Sequence, residues 1–258
     1  MVRDAAYGRR LLISVDAKSY GSSDDQHQSA IQSGLLTVLN RAADRTGFDR
    51  SAWDIQSGGD GELSVLPSGE SWMEPRLAGD FAHELRNALR DHNHELQDKY
   101  RLRLRVAVHY GVAVPADNGF SGQGVVVVSR LVDSRPAKEA LNLVPGADLV
   151  LILSERVFND AVRQRHASLW EADFRRVRVQ NKEFDEFAYL HLPGHDIHAV
   201  RLPEDGSSAA APDAGGGNQD AGRVSAEPAD RRGATVVTEI HGAVDASHAV
   251  FGIVNGRQ

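Results

Sequence analysis

Trp53-Asp54-Ile55-Gln56-Ser57-Gly58-Gly59-Asp60-Gly61-Glu62-Leu63-Ser64-Val65-Leu66 sets two short β-prone runs around a glycine-rich tetrad. Gly-Gly-Asp-Gly supplies the backbone freedom of a tight turn, so the stretch predicts a hairpin over roughly 52–66. Upstream, Leu11-Leu12-Ile13-Ser14-Val15-Asp16 predicts a buried strand over 10–16 that also ends in an aspartate. A carboxylate at a strand end and a second at a neighbouring hairpin tip can converge on one hard cation. Two-metal phosphoryl chemistry uses such a pair. Each aspartate also has an ordinary reading: Asp60 as a turn residue, and Asp16 as the N-cap of the following helix.

Further out, Ile31, Leu35, Leu36, Leu39 and Ala43 recur at helical spacing within 26–45. Phe81, Leu85, Ala88 and Leu89 do the same within 77–96. Residues 101–114 alternate with period two and predict a long strand with one polar face, on which Arg101, Arg103 and Arg105 read as a solvated edge or a phosphate-facing row. A helix is predicted over 124–143, although Val125–Val128 alone favours strand. A strand over 148–153 follows, with Ser154 as N-cap of a short helix to about Ala161, and 174–202 holds two or three more strands. The order is β-α-β-β-α-β, then α-β-α-β-β. The predicted class is α/β (α+β), a ferredoxin-like βαββαβ core sheet with helices mainly on one face, extended by further α/β elements. The right-handed crossover preference brings the end of the first strand beside the hairpin.

Composition sets the boundaries. The chain has 258 residues, a net charge of -7 and no cysteine, which removes disulfides, thiolate metal sites and cysteine nucleophiles together. An acidic balance without interleaved aromatics argues against a nucleic-acid partner. No run approaches the ~18 apolar residues of a membrane span, and Met1-Val2-Arg3-Asp4 opens no long apolar segment, so a cytoplasmic location is expected. Three segments are predicted: a domain over 1–203, a linker over 204–233 rich in Ala, Gly, Asp, Ser, Pro and Arg, and a β-prone motif over 234–258. The last has two readings, an edge strand or tail, or an adhesive segment at 234–254 that recruits a partner protein by strand addition. It loosely resembles the short amyloid signalling motifs of bacterial conflict systems. His191, His195 and His198 cluster near the final strands, and His109 reads as a hydrogen-bonded structural histidine.

Five motifs in this order resemble the class III nucleotidyl cyclases, the adenylate and guanylate cyclase catalytic domain, over about 10–192. They are Val15-Asp16-Ala17-Lys18-Ser19-Tyr20-Gly21, Gln56-Ser57-Gly58-Gly59-Asp60-Gly61, Leu104-Arg105-Val106-Ala107-Val108-His109-Tyr110-Gly111, Gly122 to Leu131, and Val179-Gln180-Asn181-Lys182-Glu183. The resemblance implies two Mg²⁺ or Mn²⁺ ions at Asp16, Ala17 and Asp60. It implies phosphate contacts at Ser19, Tyr20 and Gly21, base reading at Gln56, and catalytic roles for Arg130 and Lys182. It also implies a homodimer acting on a nucleoside triphosphate to give a 3′,5′-cyclic nucleotide and pyrophosphate.

Two positions depart from the family pattern. Val126 stands where the family has an Asn that positions the ribose, and an apolar side chain makes no hydrogen bond. Gln56 stands where a Lys or Glu reads the base, and its partner position falls near Gly119, which offers no side chain. An amide both donates and accepts, so the base stays open. The alternative is a catalytically degenerate domain of the same kind that binds nucleotide or a partner and is recruited through its C-terminal motif.

Overall fold

The alternation at 11–16 does what period two requires: it gives one strand two buried faces. In the computed structural model, which describes residues 8–69, 72–117, 119–181 and 183–203, β1 (Arg9–Ala17) is an inner strand of a seven-stranded sheet. Leu11, Ile13, Val15 and Ala17 enter one hydrophobic core, and Leu12 enters a second core on the opposite face. Lys182 and residues 204–258, with the predicted linker and β-prone motif, lie outside the described residues.

The chain continues through α1 (Asp25–Thr46), β2 (Asp54–Ser57), β3 (Gly61–Val65), α2 (Met73–Arg76) and α3 (Ala82–Asn93). Next come β4 (Leu104–Val112), a small hairpin of β5 (Val114–Ala116) and β6 (Gly119–Ser121), α4 (Gln123–Val132) and α5 (Arg135–Leu143). The described part closes with β7 (Leu149–Ser154), α6 (Glu155–Val157), β8 (Arg175–Asn181) and β9 (Phe184–His191). The sheet order is β2-β3-β1-β4-β7-β9-β8, with the β4–β7 pair parallel and the other pairs antiparallel. The two long helices, α1 and α3, share one face, as expected, and α4 and α5 cover the other.

Local signals account for most boundaries. Asp24 caps α1 by accepting from the His27 backbone N–H at 2.8 Å, and Gly47, at φ 72°, ends it. The N-cap role open to Asp16 therefore falls to Asp24. The helix predicted over 124–143 is broken at Asp133–Ser134. Ser134 caps α5 and Pro136, which has no N–H to give, stands in its first turn. The run Val125–Val128 is helical because alternate burial there follows a helix: Val127, Val128, Leu131 and Val132 are buried while Val126 faces out. Among the described residues 174–203 form two strands and end in a short helical turn at Ile197–Ala199.

The strand predicted over 101–114 begins only at Leu104, so of Arg101, Arg103 and Arg105 the last alone lies on β4, and the row is neither a solvated edge nor a phosphate-facing surface. β4 lies inside the sheet, and each guanidinium is anchored to the protein. Arg101 donates to Asp148 Oδ1 at 2.6 Å. Arg103 donates to the carbonyls of Leu141 (2.6 Å) and Val144 (2.8 Å) at the C-terminal end of α5, and to that of Ala147 at 2.8 Å. A cation there meets the negative end of the helix. Arg105 pairs with Asp16.

Beneath the hairpin, Arg50 Nη2 donates to both oxygens of Glu62, at 3.0 and 2.8 Å, and Ser64 Oγ donates to the same carboxylate at 2.9 Å. Both partners are almost fully buried. Removing one half of such a pair strands a buried charge. Glu62→Ala is therefore expected to cost about 3–5 kcal/mol in urea unfolding, against less than about 0.5 kcal/mol for Asp60→Asn in the exposed turn. Equal midpoints for the two variants would show that the buried pair does not hold the hairpin.

Candidate functional site

The site begins with register. Asp16 on β1 lies opposite Gly61 on β3 and opposite Arg105 on β4. Directly paired residues point to the same face of a sheet, so Asp16, Arg105, Ala107 and His109 share the face covered by α4. Gln56 pairs with Leu63, and Leu63 pairs with Ser14, which brings Gln56 to that face as well.

Close approach of hairpin and strand depends on one glycine. A Cβ at position 61 would overlap the Val15 carbonyl oxygen. With none there, the Ala17 N–H donates to the Asp60 carbonyl at 2.7 Å, and the Gly58 N–H closes the turn on the Gly61 carbonyl at 2.7 Å. Asp16 and Asp60 thus stand at adjoining strand ends. Asp60 is exposed, whereas the Asp16 side chain is 18 % exposed and the Arg105 side chain 12 %.

Tyr20 fastens the loop after β1 to the hairpin tip. A Cβ added at Gly59 would meet its ring at 3.3 Å, and the Gln32 side-chain amide donates to its hydroxyl at 2.7 Å. Ser19 adopts a left-handed conformation, φ 69°, at the start of this turn, and its carbonyl accepts from Ser23 Oγ at 3.0 Å. Gly21 follows in open space. Lys18 lies at the base of the loop; burial, and then the Arg103 guanidinium, lower its pKa. Burial likewise draws Arg105 below its usual range, and Asp133 opposes the shift.

A second group of predicted residues gathers on β2, β6 and α4. The Gln56 amide lies directly against Gly119, which has φ 97° and no side chain to obstruct it. Gly124, the second residue of α4, is buried against the Gly111–Val112 backbone, and this contact fixes α4 across β4. Arg130 is half-buried and makes no ion pair among the described residues. Val126, one turn before it, is 44 % exposed.

The donor chemistry fits a hard divalent cation held by few protein ligands. Two carboxylates at adjoining strand ends suit Mg²⁺, which keeps water and substrate oxygens in its remaining positions. Among the described residues no group of three or more acidic or imidazole side chains converges on a metal position. The clustered histidines are engaged elsewhere: His191 Nδ1 lies 2.9 Å from the Asp173 carbonyl and His198 Nε2 3.1 Å from that of Ala172. His109 is held down to about 4 by burial, with Arg156 and Arg9 adding to the shift, so it is neutral. Its Nδ1 is buried without a hydrogen-bond partner among the described residues, contrary to the expected hydrogen-bonded role.

Sequence reasoning missed Arg105 as a member of this site. The signal was available in principle, because pairing β1 with β4 sets Arg105 opposite Asp16. It needed the register, which a lone strand does not disclose.

Comparison with known proteins places the fold. No family profile matches the chain, and no curated protein matches it in sequence. Solved structures do. The guanylyl cyclase Cya2 superposes with a TM-score of 0.52 at 14% identity, covering 77% of this chain and 99% of its own. An adenylate/guanylate cyclase/hydrolase from Silicibacter pomeroyi gives 0.52 at 17% identity, over 74% and 100%. The catalytic core of a rhodopsin-guanylyl cyclase in complex with ATPαS gives 0.50 at 12% identity, over 74% and 98%. The likeness is one of fold: this chain has the mixed α/β architecture of the cyclase catalytic domain. No helix among the described residues is long and apolar enough to cross a membrane.

The Asp16–Arg105 pair leads to a measurable consequence. Arg105→Ala leaves Asp16 without its cation, and a divalent ion can take that place. Mn²⁺ is expected to raise the melting temperature of Arg105→Ala by at least about 2 °C more than that of the wild type. The excess should vanish in the Asp16→Asn/Arg105→Ala double variant. Equal Mn²⁺ shifts in wild type and Arg105→Ala would remove Asp16 as a cation ligand.

Proposed function

We propose that this chain is a divergent nucleotidyl cyclase, a phosphorus–oxygen lyase that converts a nucleoside triphosphate to its 3′,5′-cyclic nucleotide and pyrophosphate as a homodimer. The observation that supports the reading is the glycine-mediated backbone contact between Ala17 and Asp60, which sets Asp16 and Asp60 at adjoining strand ends. It is supported by a second group of polar positions, Gln56 beside Gly119 and Arg130 on α4, on the same sheet face.

In this reading Asp16, Asp60 and the backbone at Ala17 hold Mg²⁺ or Mn²⁺. A divalent ion bound there supplies a lowered pKa for the ribose 3′-hydroxyl and offsets charge at the α-phosphorus. The chain's own groups do the rest. Ser19, Tyr20 and Gly21 shape the loop that receives the phosphates, with Tyr20 holding it against the hairpin tip. Arg130, without an ion pair among the described residues, is free to meet negative charge that develops on the transferring group. Lys182 neutralises the departing pyrophosphate. Gln56 presents an amide to the base edge, where it can donate and accept. A homodimer unites the carboxylates of one protomer with the base-reading and arginine positions of its partner.

A second reading has support of its own. Val126 offers no hydrogen bond where a ribose contact is expected, and Arg105 already occupies part of the Asp16 carboxylate. Both features fit a domain that binds nucleotide without turnover.

One assay separates the two. Incubation of the full chain with each of the four ribonucleoside triphosphates and Mn²⁺ is expected to yield a 3′,5′-cyclic product with at least one base. Asp60→Asn should lower the rate by about 100-fold or more with an unchanged melting temperature. Nucleotide-dependent thermal stabilisation with no cyclic product from any base would establish the second reading instead. Because Val126 is exposed, Val126→Asn is tolerated by the fold and is expected to raise kcat about fivefold by restoring one hydrogen bond to the ribose. A fall in kcat would place the ribose elsewhere.

A further inference from the structure

Gln28 and Gln32 stand one turn apart on α1, so their side chains leave the helix on the same face. Both meet the loop that follows β1. The Gln28 amide donates to two backbone carbonyls of that loop, Tyr20 at 3.3 Å and Ser23 at 3.1 Å. The Gln32 amide donates to the Tyr20 hydroxyl at 2.7 Å. The loop is also closed on itself: the Ser23 N–H donates to the Tyr20 carbonyl at 3.1 Å, and Ser23 Oγ to that of Ser19 at 3.0 Å.

The tyrosine hydroxyl sits at a junction. A Cβ at Gly59 would lie 3.3 Å from the hydroxyl oxygen and no further than 3.4 Å from the ring carbons beside it. The oxygen that accepts from Gln32 thus rests on the backbone of the hairpin tip. Gly59 precedes Asp60, whose carbonyl accepts from the Ala17 N–H. A continuous row of contacts therefore runs from α1 through Gln32 and Tyr20 to the turn that presents Asp60.

The Gln32 bond is poorly placed to serve stability. Gln32 is exposed, and so is the bond it makes. An exposed hydrogen bond replaces one made to water and adds little to folding. Its effect falls on geometry. A phenylalanine at position 20 would fill the same space against Gly59, but nothing would hold the end of its ring to α1.

We propose that Gln32 and Gln28 are positioning residues for the candidate site, Gln32 setting the Asp60 turn through Tyr20 and Gln28 setting the backbone of the loop at Tyr20–Ser23. The inference rests on the cyclase reading and adds two residues that give no group to substrate or metal. The two differ in kinetic consequence. Gln32 acts on a carboxylate whose placement counts in the transition state, so its loss lowers kcat. Gln28 acts on a loop that receives phosphates in the ground state as well, so its loss raises KM.

Amide exchange and kinetics on the full chain test the assignment. Gln32→Leu removes the bond, whereas Gln32→Glu restores one, with the phenol as donor and the carboxylate as acceptor. The Ala17 and Gly58 amides are hydrogen-bonded at the turn, and Gln32 bonds to neither. Gln32→Leu is nonetheless expected to speed their exchange about fivefold, and Gln32→Glu to return it to the wild-type rate. With the nucleotide that the wild type turns over, Gln32→Leu should lower kcat about tenfold with KM within about twofold, and Gln32→Glu should recover it. Tyr20→Phe should match Gln32→Leu, and the two together should be no worse than either. Gln28→Leu should instead raise KM about fivefold.

Exchange needs no turnover. A wild type without cyclic product removes the cyclase reading, while exchange at Ala17 and Gly58 still decides whether α1 sets the turn. Unchanged exchange in Gln32→Leu, additive losses in the double variant, an active Gln32→Leu enzyme with wild-type kcat, or no recovery in Gln32→Glu would overturn the role of Gln32. A KM unmoved by Gln28→Leu would remove Gln28 from it.

Discussion

Everything at the candidate site depends on how closely the β2–β3 hairpin can approach β1, and one missing Cβ decides it. At Gly61 any side chain would collide with the Val15 carbonyl. Without that collision the Asp60 carbonyl accepts from the Ala17 N–H, and two aspartates forty-four positions apart in sequence stand at adjoining strand ends. Gly59 plays a related part, since its bare backbone lets the Tyr20 ring lie across the tip. The turn is thus clamped from both sides: β1 sits on one, and the loop that follows β1 returns over the other. A turn so held presents a carboxylate with little loss of conformational freedom on binding, which is what preorganisation requires.

The electrostatics follow from the same sheet. Three arginines alternate over 101–105, at and just before the start of β4, and each is assigned a different anchor: the Asp148 carboxylate, a helix C-terminus and Asp16. The first two tie the segment leading into β4 to the one leading into β7 and to the end of α5. The third is different, because its partner is a group with another use. An Asp16 held by Arg105 is kept in place without a metal, at the cost of competition when a metal arrives. The buried Arg50–Glu62 pair beneath the hairpin has no such second role; its carboxylate is saturated by Arg50 and Ser64. The two acid–arginine pairs differ in what remains available on the acid, and that difference separates scaffold from site.

Much of this was legible in the sequence. The apolar run before Asp16, the Gly-Gly-Asp-Gly turn, the helical spacing from Ile31 to Ala43 and the N-cap at Ser154 each carry a local signal, and the sheet and helices follow from them. The break between α4 and α5 was also written locally, in Ser134 and Pro136, but the hydrophobic spacing runs across it and hides it. Other features had no local signal. Whether an arginine on an alternating strand meets water or a partner depends on whether the strand is inner or edge, and that is a property of sheet order. Arg103 illustrates the point: its acceptors at Leu141, Val144 and Ala147 lie some forty residues away. Gln56 and Gly119 could be aligned as family positions, yet their contact depends on how the β5–β6 hairpin folds back over β2.

The two ends of β1 differ in what their charged groups meet. At the C-terminal end an acid and a base are paired across neighbouring strands, Asp16 with Arg105. At the N-terminal end Arg9 and Arg10 are adjacent in a regular strand, so their side chains fall on opposite faces of the sheet and cannot act as one group. β1 is hydrogen-bonded on both sides, to β3 and to β4. A change in the Asp16–Arg105 pairing therefore bears on both neighbouring strands, because their backbone hydrogen bonds and packed side chains move together.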